Sequence, residues 1–421
     1  MAYLPLANIL HYKLRSVLSA LGIGMAICML VTLSGLSRGS LHEVADRWEA
    51  VKADLVVFPP GLGENVFLAS GPHVPDAYAR ILPRKCPHLI QHVVPVFARQ
   101  IKLAGQEQMI AGVDPHDWPV LTGGRGVLKG RIFDPHSKFT RWIERMLLHE
   151  DDGAEPFDPD EADLSDPAHN GLEIVIDTRL ARAGGYRVGQ VIRKANHDWT
   201  IVGIVPEGGL ARVYMPRRTA QLLLGDGTLH KSTLMFIKLR EGLDKDAAID
   251  KLVAAAEEAA SGEKGLGRRN TITRKNLVPL AHYRGMLVSK FSIMFLYVDV
   301  VNAVALLIAF LFIMVTLYTM VLQRQRDIAI LKSSGAGDGF ILRQIVAESL
   351  LLTGAGVVIG VGLSFAAAWV IQTVKPLLTV NLAWEWFGTA CVVALTGAVL
   401  SALYPAWQAT RVDMVATLTL E

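Results

Sequence analysis

The sequence is short of charge and nearly without cysteine. Of 421 residues only 19% are Asp, Glu, Lys or Arg, against 51% hydrophobic, and the mean hydropathy is +0.34. A soluble chain carries about 25% charged residues, so a purely soluble enzyme is excluded. Of the three cysteines, Cys28 and Cys391 lie in apolar runs and Cys86 stands alone between them. One cysteine cannot build a disulfide framework, so the region around it must be held by a hydrophobic core.

Motifs for chemistry are missing as well. GEKGLGRR, residues 262–269, lacks the ordered Lys-Ser/Thr ending of a phosphate loop. There is no H-E-x-x-H helix and no G-x-S-x-G elbow. The 12 histidines are dispersed, without the spacing or cysteine company of a structural zinc site. No catalytic, cofactor-binding or metal-ligating residue is therefore expected. The net charge of +3, with no basic stripe interleaved with aromatics, gives no reason to expect nucleic acid.

What the chain does have is four windows free of Asp, Glu, Lys and Arg, at 16–37, 300–323, 349–374 and 386–410. Each is long enough to cross a hydrocarbon core of about 30 Å as a helix. The first is longer than the apolar part of a signal peptide, and no clear small-x-small cleavage site follows before Arg38, so it reads as an uncleaved span. The loop QRQRDIAILKSSGAGDGFILRQ carries Arg324, Arg326, Lys332 and Arg343, whereas the turn between spans three and four has only Lys375. The positive-inside tendency puts that loop in the cytoplasm, both termini with it, and residues 38–290 outside.

The expected organisation follows: an entry helix and first span over 1–37, an extracytoplasmic stalk and domain over 38–290, and a stalk continuation with span two over 291–322. A cytoplasmic loop at 323–343, spans at 344–374 and 384–407 and a tail at 408–421 complete it. The fold class is a membrane protein with four transmembrane helices in a one-plus-three arrangement and a large α+β extracytoplasmic domain between helices 1 and 2.

Beyond the first span, LHEVADRWEAV places Leu41, Val44, Ala45, Trp48 and Val51 on one helical stripe, which would continue the span outward. Strands are expected at Asp54 to Phe58 and in HVVPVFARQIKLAG, QEQMIAGV, GLEIVIDT, YRVGQVIR, WTIVGIV, ARVYMP and LMFIKLR. DAYARIL, RWIERMLL and DKDAAIDKLVAAAEEAA read as helices. Residues 150–170 hold nine carboxylates and read as a solvated loop, with a calcium site the lesser alternative. LVPLAHYRGMLVSKFSIMFLYVDV is expected to run as one long helix into span two and to pair with the helix after span one. Asp299, at the edge of the uncharged run, reads as an interfacial acid rather than a proton relay.

Gly354, Gly356, Gly360 and Gly362 in span three permit close helix contact, either between subunits or within the bundle. Glu348 is expected at the cytoplasmic entry of that span, in reach of water. Trp384, Trp386, Tyr404 and Trp407 read as interfacial anchors. In the loop, Ile328, Ile330 and Leu331 form a short apolar surface among Arg324, Arg326, Asp327 and Lys332, and Gly335 can end the helix. From chemistry alone it either docks into a cytoplasmic protein groove or anchors on anionic lipid.

QRQRDIAILKSSGA resembles the cytoplasmic loop of the FtsX-like, or MacB-type, ABC transporter permeases, and FILRQIVAESLLLTGAGVVIGVG looks like the start of their third span. YPAWQATRVDMVATL is similar to their closing segment, with Met414 where proline is common, and Asp327 stands where glutamate is usual in the loop. NILHYKLRSVLSALGIGMA resembles their entry helix. ADLVVFPPGLGENVFLAS looks like the first ectodomain strand of the heme-exporter and glycolipid-exporter (DevC-like) branch.

The resemblance implies a homodimeric permease joined to two cytoplasmic ABC ATPases, which would use ATP and Mg while this chain binds no cofactor directly. Arg324, Arg326, Asp327, Ile328, Ile330, Leu331, Lys332 and Gly335 would contact or orient near the ATPase. Its closure would drive the stalks and move a hydrophobic or amphiphilic substrate, with a periplasmic adaptor and outer-membrane conduit as further partners. The alternative is a non-transporting mechanotransmitter that regulates an extracytoplasmic enzyme.

Overall fold

A computed structural model describes residues 13–59, 73–134, 172–194, 196–225, 230–262, 271–323 and 325–410. The chain forms two compact units, one from its two ends (Met1–Leu41 with Lys290–Glu421) and one from His42–Ser289. Helix α1 (Lys13–Glu49) supplies residues to both. It is uninterrupted across 37 residues because the uncharged span has no proline and the stripe of Leu41, Ala45 and Trp48 beyond it is buried.

The outer unit is α+β. In chain order it contains β1 (Leu55–Val57), β2 (Val74–Pro75), α2 (Ala77–Lys85), β3 (Ile90–Leu103), β4 (Gln106–Val113), α3 (Trp118–Leu121) and β5 (Lys129–Gly130). There follow β6 (Glu173–Asp177), α4 (Thr178–Gly184), β7 (Val191–Lys194), β8 (His197–Val205), β9 (Val213–Pro216) and α5 (Arg217–Leu224). The last elements are β10 (Lys231–Ser232), β11 (Leu234–Leu239), α6 (Lys245–Gly262), β12 (Leu277–Pro279) and α7 (Tyr283–Lys290).

The main sheet runs β12-β1-β11-β3-β4-β9-β6-β8-β5, with β7 also on β8, and a separate ribbon pairs β10 with β2. The long strand β3 joins the two arms: its first half pairs with β11 and its second half, from Phe97, pairs with β4. Among the described residues only β4–β9 and β6–β8 pair in parallel. Under one arm, Tyr78 and Leu82 of α2 and Ile249, Leu252 and Ala256 of α6 pack on Leu55, Val57, Met235 and Ile237. Cys86 is buried in this core as a free thiol, and burial pushes its pKa up.

Two expectations need correction. YRVGQVIR is a strand only from Val191, because Gly185, at φ +66°, takes the left-handed turn that ends α4 and Tyr186 N–H donates to Ala181 O. The segment from Leu277 is not one helix into the membrane: Leu277–Pro279 is a strand on β1 at the sheet edge, where a proline without an N–H costs no ladder bond. A short helical turn and α7 follow, and Phe291 separates α7 from the next helix. RWIERMLL and the acidic residues 150–170 lie outside the described residues.

The other unit adds α8 (Ser292–Gln323), α9 (Gln325–Ser333), α10 (Asp338–Val374) and α11 (Trp384–Thr410) to the first part of α1. Among the described residues four helices, α1, α8, α10 and α11, are long and apolar enough to cross a membrane. With the charge asymmetry of the loops they make a multi-pass inner-membrane topology in which both ends of the chain share the cytoplasmic side.

Candidate functional site

The loop expected to meet a partner is the short helix α9 between spans two and three. Its end is set by sequence. Gly335 adopts φ +91°, Gly335 N–H donates to Lys332 O, and Ala336 N–H donates to Leu331 O, both at 3.0 Å. That pair of bonds is the Schellman closure, which needs a left-handed residue and so favours glycine. Gly337 then starts α10 in an extended conformation.

The expected site residues divide between inside and outside. Ile328 is 8% exposed and joins the helical core with Ile341 and Ile345, so it does not offer a docking surface. Lys332 is turned inward too: its Nζ donates to Thr410 O at 2.7 Å and lies 3.4 Å from Asp338, tying α9 to the end of α11. Ile330, 48% exposed, and Arg326 stand on one outward face, four residues apart, and Leu331 is half-buried. Arg324 and the Asp327 side chain lie outside the described residues. The surface is thus narrower than the apolar trio expected from sequence.

The span-three glycines also separate. A Cβ at Gly356 would meet Ile23 Cβ at 2.7 Å, and one at Gly360 would meet Gly24 O and Ile27 Cβ at 2.8 Å, so both lie against α1. Gly354 and Gly362 meet nothing within 4 Å. Sequence reasoning missed two partners of this packing. Gly35 and Gly39 of α1 receive the Asn381 backbone, and α11 presents Ala390, Ala394, Ala398, Ala402 and Ala406 as a buried stripe, with Ser349 Oγ donating to Ala398 O. The four-residue alanine repeat was visible in the sequence.

Glu348 is 4% exposed, not at a wet entry as expected, because α10 begins ten residues earlier at Asp338. Asp299 is exposed and faces Arg38 at 3.4 Å, and the Arg38 guanidinium lies 4.7 Å from the Trp386 ring centre. Two apolar grooves flank the pair α1 and α8. One, of about 450 Å³, is lined by Ile27, Phe310 and Leu400; the other, of about 680 Å³, by Met25, Phe312 and Leu363.

In the outer unit, the end of α1 and α7 pair as stalks. Trp48 stacks on Tyr283 with ring centres 4.2 Å apart, and Arg284 reaches Asp46 at 2.6 Å and Glu49 at 2.7 Å. The hydrogen bond from Arg284 holds the Glu49 carboxyl below the usual range. Glu43 gathers Arg47 at 2.8 Å, Arg179 at 3.2 Å and Arg212 at 2.6 Å. Beside it Asp177 caps α4 through Leu180 N–H, and burial pushes its carboxyl up. Only the Glu43–Arg47 spacing signalled this cluster in the sequence, since Arg179 arrives from α4 and Arg212 from the bend before β9, both far along the chain.

The chain is similar in sequence to known proteins. Residues 16–255 match the MacB-like periplasmic core domain, and residues 300–414 match the FtsX-like permease C-terminal region. The chain is 23% identical to the pyoverdine export ATP-binding/permease protein PvdT of Pseudomonas putida, over 97% of this chain and 58% of that protein. It is 22% identical to the macrolide export ATP-binding/permease protein MacB of Salmonella typhimurium, over 56% of this chain and 35% of that protein. An uncharacterized ABC transporter permease of Methanocaldococcus jannaschii is 24% identical over 55% of this chain and 57% of its own length. The chain therefore spans between 35% and 58% of these relatives. With one model reaching from α1 into α6 and another from α8 past the end of α11, the chain belongs to the MacB-type, FtsX-like family of ABC transporter permeases.

Proposed function

We propose that the chain is the membrane subunit of an ATP-driven exporter or extractor, working as a homodimer with two cytoplasmic ABC ATPases. The observation that carries this reading is the pairing, in one chain, of a MacB-like outer domain with an FtsX-like membrane part. Arg326 and Ile330 present a charged and an apolar group to the ATPase, while Ile328, Lys332 and Gly335 fix the helix that carries them. ATP and Mg belong to the partner. Closure of the ATPases displaces α9, and the uninterrupted α1 with its Trp48–Tyr283 and Arg284 contacts to α7 is the element suited to carry motion outward.

Two relatives named for export support an outward direction. The apolar grooves beside α1 and α8 suit the tail of a hydrophobic or amphiphilic substrate. The likeness of ADLVVFPPGLGENVFLAS supports the heme-exporter and glycolipid-exporter branch, and a periplasmic adaptor with an outer-membrane conduit completes the path. The test is reconstitution of permease and ATPase in proteoliposomes. ATP-dependent transfer or extraction of cargo is expected; ATP-dependent activation of an external enzyme without cargo movement would replace export with regulation.

A further inference from the structure

A cluster that sequence spacing did not reveal lies in the outer unit. His92 is on β3, and His116 and Asp117 follow β4 in the turn before α3. The turn is anchored by Trp118, which packs on Phe133 and Tyr214. This buries Asp117 completely and turns its carboxylate toward the two imidazoles. Asp117 Oδ1 lies 2.6 Å from His92 Nε2 and 3.2 Å from His116 Nε2. Asp117 Oδ2 is buried and has no hydrogen-bond partner among the described residues. A carboxylate oxygen in that position is costly unless something accepts its lone pairs.

We propose that His92, His116 and Asp117 bind a borderline transition cation of the Zn²⁺ class, with further coordination positions open to solvent. Two neutral imidazoles and one carboxylate are the donor types such an ion selects, and they leave a net charge of about +1 on the bound site. One donor atom from each residue lies within 4.8 Å of the others. Bonds of about 2.0–2.1 Å in tetrahedral geometry hold donors roughly 3.3 Å apart, so His92 Nε2 and Asp117 Oδ1, now 2.6 Å apart, must open slightly to admit the ion. His92, 38% exposed, and His116, 68% exposed, can make that movement, and the buried Asp117 supplies the fixed point.

Neighbouring charges are already engaged. Lys238, the cross-strand partner of His92, is 3.0 Å from Asp54, and Asp114 is held by Arg217 at 2.7 Å. Neither Asp114 nor Asp54 is needed as a ligand. A site with three protein donors and an open position differs from a closed structural zinc centre: it can take water or a donor atom of a passing molecule.

The experiment uses the full chain, free of any histidine tag and stripped of metal by a chelator, in detergent micelles. Zn²⁺ is titrated calorimetrically, and Co²⁺ is followed by its visible absorption. One Zn²⁺ per chain is expected, weakened at least tenfold by His116→Ala and by His92→Ala, with loss of the Co²⁺ band. His116→Ala is the decisive variant because its exposed ring is dispensable for packing; Asp117→Asn serves only if its thermal midpoint matches the parent. Absence of saturable one-to-one binding in the parent chain, or equal binding in both histidine variants, overturns the site and leaves a hydrogen-bonded His–Asp pair.

Discussion

Gly360 and Gly362 sit two residues apart on the same helix, yet their replacement by alanine should have opposite consequences. A methyl at Gly360 would lie 2.8 Å from the Gly24 carbonyl oxygen and 2.8 Å from Ile27 Cβ, whereas one at Gly362 meets nothing within 4 Å. Both substitutions gain helix propensity of about 1 kcal/mol, which cancels when the variants are compared with each other. The remaining difference is the cost of forcing α10 away from α1, about 1–3 kcal/mol for an overpacked site. Backbone oxygen cannot rotate aside as a flexible side chain can, so the helices themselves must part. Reversible unfolding of the three proteins in one micelle composition measures this. Gly360→Ala should unfold earlier than the parent or close to it, and Gly362→Ala at or above it; coincident transitions for the two variants would refute the close α1–α10 packing. Gly356→Ala should follow Gly360→Ala, since its methyl would lie 2.7 Å from Ile23 Cβ.

Other outcomes follow from the outer unit. Glu43→Gln removes a carboxylate that lies within 3.2 Å of Arg47, Arg179 and Arg212, two of which are nine-tenths or more buried. Asp177 stays 3.6 Å from Arg47 and 4.0 Å from Arg212, so the loss should be real but below the about 3–5 kcal/mol of a buried charge left without any partner, readable as a lower unfolding midpoint; an unchanged midpoint would contradict the network's role. Because Arg284 lowers the folded pKa of Glu49, the pair stabilises the fold above the ordinary carboxylate range, and the gain is lost as pH falls through the folded pKa. The stability difference between the parent and Arg284→Ala should therefore shrink in acid; a difference that grows there would reverse the sign. Asp299→Asn should change stability by less than about 1 kcal/mol, because Asp299 is itself exposed and its half-buried partner Arg38 also rests on Trp386.

The spans and most strands could be read from the sequence because each rests on a local pattern. An uncharged run of span length has few alternatives, and QEQMIAGV, with its flanking Gly105, became β4 over the same residues. Pairing order was not legible: β3 splits its two halves between β11 and β4, which no alternation along β3 announces. The stretch from Leu277 was misread because apolar residues near a span look helical until the edge of a sheet claims them. In the loop at 323–343, composition pointed to a short helix but not to its faces. Ile328 and Ile330 are alike as residues, and only the packing of α9 on Ile341 and Ile345 decides that one is buried and the other displayed. His92 and His116 were passed over for a similar reason, since 24 positions of sequence separate them and an antiparallel return brings them together.

In the proposed function, ATPase motion enters the permease through the outward face of α9. The direct measurement is the affinity of the purified partner ATPase for the permease in nanodiscs, with and without Ile330→Asp. Burying an isoleucine side chain contributes about 1.5–3 kcal/mol, and an aspartate there adds desolvation, so the variant should bind at least about tenfold more weakly while inserting normally. Affinity that is the same for the parent and for Ile330→Asp would contradict the account.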